Sequence, residues 1–100
     1  MAYQETIKTL LAKNKELLSR EFGLSSLGIF GSLADGRFGE HSDIDLFYEL
    51  AENKTLDIRQ LEAFEQKIKK ILRKRKIDLV NLSYMNPIVR HRAEKSFIYV

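Results

Sequence analysis

Residues 42–50 read SDIDLFYEL, and their alternation sets the terms for the rest of the chain. Successive side chains of an extended strand point to opposite faces, so Asp43, Asp45, Phe47 and Glu49 share one face while Ile44, Leu46, Tyr48 and Leu50 share the other. A strand with one apolar face needs a layer to cover it, and the flanking sequence supplies helices. From Tyr3 to Phe22 apolar residues recur at Ile7, Leu10, Leu11, Leu17, Leu18 and Phe22, the spacing of a helix with one buried stripe, and Gly23 supplies the stop. From Leu56 to Arg75 the same spacing returns at Leu61, Phe64, Ile68, Ile71 and Leu72, with a cationic last turn suited to the negative end of the helix dipole. Further strands are expected at Leu27 to Phe30, at Ile77 to Leu82 and, as an edge, at Phe97 to Val100. One or two helical turns are expected from Ser32 to Gly36. A short helix opens at Asn86-Pro87, a cap followed by a first-position proline, and runs to about Lys95. Strands alternating with helices predict an α/β fold with one sheet and helices on one face. The uncovered face is then the one carrying Asp43 and Asp45.

One hundred residues, 44% hydrophobic and 31% charged, suit a single domain over residues 1–100. No apolar run approaches the roughly 18 residues that cross a bilayer, and the first ten residues lack the order of a signal peptide, so the expected location is the cytoplasm and no membrane is an expected partner. The absence of cysteine excludes disulfides, thiol nucleophiles and thiolate zinc sites. His41 and His91 lie too far apart in sequence for metal-ligand spacing, and any metal must sit on oxygen. His41 reads as an exposed loop residue. The net charge of +3 is local: residues 67–76, KIKKILRKRK, hold seven of the 17 basic residues and no acid. That run reads as a solvated helix face rather than a nucleic-acid stripe.

The chemistry concentrates around two acids. Asp43 and Asp45, two apart on a strand, put their Cα atoms roughly 6.5 to 7 Å apart on one face, within reach of one hard cation. Two such charges stay ionised together only where solvent, a basic side chain or a divalent ion compensates. Asp78 falls in the middle of the next predicted strand, and pairing of the two strands would bring three carboxylates together. Gly31-Ser32 stands at a strand-to-helix turn, where free amides and the positive helix end favour phosphate. Three aspartates beside a phosphate cradle suit a nucleoside triphosphate with one or two Mg²⁺, hence phosphoryl or nucleotidyl transfer.

These residues carry a resemblance. The runs Gly31-Ser32-Leu33-Ala34-Asp35-Gly36, Ser42-Asp43-Ile44-Asp45-Leu46 and Ile77-Asp78-Leu79-Val80 resemble the minimal nucleotidyltransferase (MNT) family of the DNA polymerase β superfamily, and the stretch from Asn86-Pro87 through Arg90 to Tyr99 is similar to that family's C-terminus. The resemblance implies a polymerase β-like nucleotidyltransferase fold with a small mixed sheet. It implies phosphate binding by Gly31 and Ser32, Mg²⁺ binding by Asp43 and Asp45, and a metal-ligand or general-base role for Asp78. It further implies the antitoxin of a type VII HEPN/MNT toxin–antitoxin pair, which transfers AMP from ATP to a tyrosine of a HEPN ribonuclease toxin in a hetero-oligomer. The acceptor surface is then expected on another chain. Relatives commonly carry arginine where this chain has Asp35; either Arg37 compensates for that acid or Asp35 faces solvent. The alternative is an antitoxin that keeps the fold and neutralises by direct binding without catalysis. Arg90, His91 and Arg92 either contact an acidic partner surface or form a solvated helix face.

Overall fold

The computed structural model describes residues 3–31 and 44–100. Helix α1 (Tyr3–Phe22) leads into strand β1 (Leu24–Phe30), followed by β2 (Ile44–Leu50), α2 (Ile58–Leu72), β3 (Ile77–Asn81), a 3₁₀ turn at Leu82–Tyr84, α3 (Pro87–Ala93), a second 3₁₀ turn at Glu94–Ser96 and β4 (Ile98–Tyr99). The strands form one mixed sheet in the order β3-β2-β1-β4. β1 runs antiparallel to β2 and β4, while β2 and β3 run parallel. The parallel pair requires a crossover, and α2 provides it. The expected helical turns of residues 32–36 lie outside the described residues.

One face of the sheet meets α1 and α2. Ile7, Leu11, Leu18 and Phe22 from α1, and Phe64, Ile68 and Leu72 from α2, close over Leu27, Ile29, Ile44, Leu46 and Tyr48. The apolar half of the β2 alternation thus faces the helices, as the sequence predicts. Helix α2 begins at Ile58, two residues later than its periodicity suggests, because the Asp57 carboxylate accepts the Gln60 N–H at 2.8 Å and the Gln60 side chain accepts the Asp57 N–H at 2.9 Å. This reciprocal capping box fixes the start. The helix ends at Leu72 rather than Arg75, since Arg73 turns left-handed at φ 56° and its N–H donates to the Lys69 carbonyl. β1 starts three residues earlier than expected, at Leu24, where pairing with Leu50 and Glu49 across an irregular register recruits Ser25 and Ser26.

The opposite face departs most from expectation. It carries Asp45, but it is not bare: Phe47 is fully buried there. Its ring stacks on Phe97 with centroids 4.4 Å apart, and Phe30 and Tyr99 flank it at 6.4 and 5.0 Å. Gly28, directly across from Phe47, makes room for this cluster; a Cβ at that position would stand 2.3 Å from the Phe47 ring and 2.4 Å from the Ile98 carbonyl oxygen. Phe97 and β4 therefore bring an aromatic cover over Phe47 on the face that bears Asp45.

Candidate active site

Register decides which acids meet. Phe30 is the Cα partner of Asp45 across the β1–β2 pair, and Asp45 is the Cα partner of Asp78 across β2–β3. Directly paired residues point to the same face, about 4.8 Å apart between neighbouring strands. Asp45 and Asp78 thus stand side by side at the end of the sheet where β1 finishes and β2 and β3 begin. Asp45 is half-buried and Asp78 exposed.

Gly31 follows Phe30 and adopts a left-handed φ of 70°. A Cβ on it would lie 2.6 Å from Asp45 Oδ2, closer than real side chains come. Glycine is demanded here twice, by backbone sign and by the carboxylate pressed against its Cα. Gly31 and the Asp45 carboxylate are consequently one packed unit. Of the five residues singled out in the sequence, the structure brings Gly31, Asp45 and Asp78 together; Ser32 and Asp43 lie outside the described residues, as do Asp35, Arg37 and His41.

The donor set can be tested against a divalent cation. Magnesium takes hard oxygen ligands, uses one or two protein carboxylates and retains positions for water and phosphate. Two adjacent aspartates, one of them packed against Gly31, fit that demand. Among the described residues no group of three or more acids and histidines forms a metal cage, so the fit rests on the pair.

Other features stand apart from this end. A cavity of ≈ 300 Å³ between Tyr48, Leu56, Leu61 and Tyr84 opens at the far ends of β2 and β3 and contains none of the site residues. Burial pushes the Tyr48 phenol above its ordinary value, the nearby Tyr84 adds to the rise, and a hydrogen bond with Asn81 opposes it. On the acidic face, Glu49 closes the distal end: its carboxylate accepts from Ser26 Oγ at 3.3 Å and lies 3.9 Å from Arg90, which also donates to Glu94 at 3.2 Å. Arg90 is thereby tied to its own chain, whereas His91 and Arg92 are exposed. The sequence held no local signal for this contact, because Glu49 and Arg90 lie far apart in the chain and meet only in the fold.

Comparison with known proteins gives the same architecture a context. A family model described as polymerase beta, nucleotidyltransferase matches residues 5–100. A Methanocaldococcus jannaschii protein whose name assigns it as a protein adenylyltransferase is 36% identical over 95 residues, covering 94% of each chain. The protein adenylyltransferase MntA of Thermococcus cleftensis is 29% identical over 96 residues, 96% of this chain and 94% of its own. Among solved structures, a minimal nucleotidyltransferase superposes with a TM-score of 0.72 at 24% identity, over 92% of this chain and 93% of that one. A tri-AMPylated Shewanella oneidensis HEPN toxin in complex with its MNT antitoxin gives 0.62 at 22% identity, over 93% and 70%. A toxin–antitoxin structure with AMP-PNP gives 0.59 at 28% identity, over 77% and 61%.

Proposed function

The chain belongs to the polymerase β nucleotidyltransferase family, and on that premise we propose that it is a protein adenylyltransferase that moves AMP from ATP to a tyrosine of a HEPN toxin, as the antitoxin of such a pair. The observation that carries the reading is the side-by-side placement of Asp45 and Asp78 with Gly31 packed against Asp45. In the reaction the tyrosine oxygen forms a bond to the α-phosphorus, the bond from that phosphorus to the β-bridging oxygen breaks, and pyrophosphate leaves. The tyrosine proton goes to a carboxylate, and exposed Asp78 is suited to accept it. Gly31 admits a phosphate oxygen to the backbone, and the hydroxyl of Ser32 adds a donor.

Asp43 and Asp45, with Asp78 beside Asp45, would hold Mg²⁺. When bound, the ion supplies charge neutralisation for the triphosphate and the leaving pyrophosphate. Everything else falls to the protein's own groups: Gly31 holds Asp45 in place, and the parallel register sets Asp78 next to it. The acceptor comes on a partner chain in a hetero-oligomer, with residues 1–100 acting as one catalytic domain in the cytoplasm. No helix among the described residues is long and apolar enough to cross a membrane.

The test is transfer itself. Incubation with ATP, Mg²⁺ and the cognate HEPN toxin should add AMP mass to the toxin, and Asp45→Asn or Asp78→Asn should lower the rate by about 10² or more, the usual contribution of a positioned acid–base group. A toxin left unmodified by the wild type, yet neutralised equally well by Asp45→Asn, would establish neutralisation by direct binding instead.

A further inference from the structure

Exposed apolar surface is unevenly placed on this molecule. The large hydrophobic side chains that stand in solvent include Ile58 at 81%, Leu61 at 38%, Tyr84 at 85%, Ile88 at 68% and Val89 at 54%. The topology gathers them at one end. β2 and β3 run away from Asp45 and Asp78 and finish at Leu50 and Asn81, so the first turn of α2, with Ile58 and Leu61, and the 3₁₀ turn that stops at Tyr84 both belong to the finishing end. α3 is tied to the same end by Arg90, whose guanidinium lies 3.9 Å from Glu49 near the close of β2. Single exposed apolar residues need no explanation, whereas a cluster marks a contact surface.

A groove cuts into this cluster. The cavity of ≈ 300 Å³ at the far ends of β2 and β3 and a neighbour of ≈ 400 Å³ share Tyr48, Leu61, Asn81 and Tyr84. α2 forms one bank through Leu61, the 3₁₀ turn forms the other through Tyr84, and Leu79 and Val80 line the second cavity. Ile58, one helical turn before Leu61, prolongs the first bank on the same face of α2. A helix in a globular domain commonly buries an apolar stripe, yet α3 buries none of its seven residues. On α3, Ile88 shares a face with His91 and Arg92, three and four positions on. Its apolar start thus passes into a basic last turn.

Resting on the adenylyltransferase reading, we propose that this end is the docking surface for the acceptor protein, and that an amphipathic helix of the acceptor lies along the groove. Its apolar side chains meet Leu61 and Tyr84, and acids on its flank meet Arg92. A groove whose banks are apolar side chains receives a helix, since an added strand would draw instead on the backbone of a sheet edge. The basic turn of α3 selects the acidic flank, because complementary charge at the rim fixes partner and register. Docking and chemistry are then separate. Five residue steps of β2 divide Asp45 from Leu50, roughly 17 Å of strand, so the docked helix and the tyrosine that reaches the acids are different parts of the acceptor. The far end governs how much acceptor is held, and the Asp45–Asp78 end governs how fast it is modified.

Calorimetric titration of the full chain with the cognate HEPN toxin, without ATP, reads docking alone, and transfer kinetics with ATP and Mg²⁺ read its consequence. The Ile58→Glu/Tyr84→Glu variant changes two exposed side chains, and an acid at the first position of α2 suits the helix dipole. It should weaken toxin binding at least about thirtyfold, the factor of a hot-spot loss. The KM for toxin should rise to match while kcat at saturating toxin changes less than about twofold, the mark of lost uniform binding. Tyr84→Ser alone is the milder version and should shift both in the same direction. Arg92→Glu should cost about twofold to fivefold, the worth of a rim charge. Leu17→Glu, at an exposed leucine of α1 that lines neither cavity, should bind as the wild type does. Undiminished toxin affinity in Ile58→Glu/Tyr84→Glu and Tyr84→Ser, a lowered kcat at unchanged KM, or equal weakening by Leu17→Glu would overturn the proposal. Self-association of the chain that the double variant abolishes, with toxin binding intact, would give this end to a second copy and overturn it as well. Toxin held through this surface but never modified would sustain the docking surface and refute the adenylyltransferase reading alone.

Discussion

Gly31 shows how one residue couples backbone to chemistry. Its left-handed φ costs a residue with a Cβ roughly 1–2 kcal/mol, and the Asp45 carboxylate occupies the space that Cβ would take. Gly31→Ala is expected to lose about 1–2 kcal/mol in urea unfolding and to reduce AMP transfer at least tenfold, because Asp45 must move; a stable, fully active variant would show that the turn does not position the acid. Asp45 and Asp78 give the opposite sign for stability. Like charges directly paired on neighbouring strands repel, so Asp78→Asn should leave stability equal or higher by about 0.2–1 kcal/mol while transfer collapses. Such a split between stability and activity marks a group kept for chemistry. Tyr48 supplies a pH signature. Its folded-state pKa is raised by burial, so its contribution to stability is complete below the ordinary phenol value near 10 and is lost as pH rises through the raised value. Urea midpoints measured from pH 9 to 11.5 should fall more steeply for the wild type than for Tyr48→Phe; parallel curves would mean that the phenol ionises as freely in the folded state as in the unfolded one.

Secondary-structure elements differ in how openly the sequence announces them. The apolar half of β2 and the stripes of α1 and α2 were legible because their periodicity is local and the helix face of the sheet uses it directly. The α2 boundary was also legible in principle, since Asp57-Ile58-Arg59-Gln60 has the spacing of a capping box, a signal stronger than the hydrophobic spacing that placed the start at Leu56. Asp57→Ala should cost about 1 kcal/mol in thermal or urea unfolding and leave transfer intact. The aromatic face was not legible. Phe30, Phe47, Phe97 and Tyr99 come from three separated stretches, and only the registers Gly28 with Phe47 and Gly28 with Tyr99 bring them together. A strand reading of residues 42–50 sees Phe47 as an apolar residue on the acidic side and has no means of finding its cover. For the site, the residue types and the Asp45–Asp78 convergence were readable from motif spacing, whereas the contact of Gly31 with Asp45 needed coordinates.

At the scale of the molecule, the sheet is held from two sides by unequal means. Two helices of 20 and 15 residues cover one face; the other depends on a two-residue edge strand and the segment leading into it. β4 pairs with β1 only at Gly28 and Ile29, with the Val100 N–H reaching the Leu27 carbonyl at 2.9 Å and Lys15 Nζ donating to the Val100 carbonyl at 2.6 Å. Releasing this segment would expose chiefly Phe47 and Phe97, a cost of about 2–4 kcal/mol from lost burial and ring stacking. Global unfolding of a domain this size costs about 5–15 kcal/mol. Two tiers of opening follow from that difference. In hydrogen exchange the amides of β1 and β2, central in the sheet, should be the last to exchange, while residues 87–100 should exchange at least about tenfold faster, each 1.4 kcal/mol of difference giving a factor of ten. Phe97→Ala should widen the gap by accelerating the C-terminal segment while barely changing α1 and α2 beyond any global loss. Uniform protection across both groups would mean instead that the aromatic face is as strongly coupled to the fold as the helical one. The acids and Gly31 would then share the stability of the whole sheet, and the C-terminal segment would have no lower tier of its own.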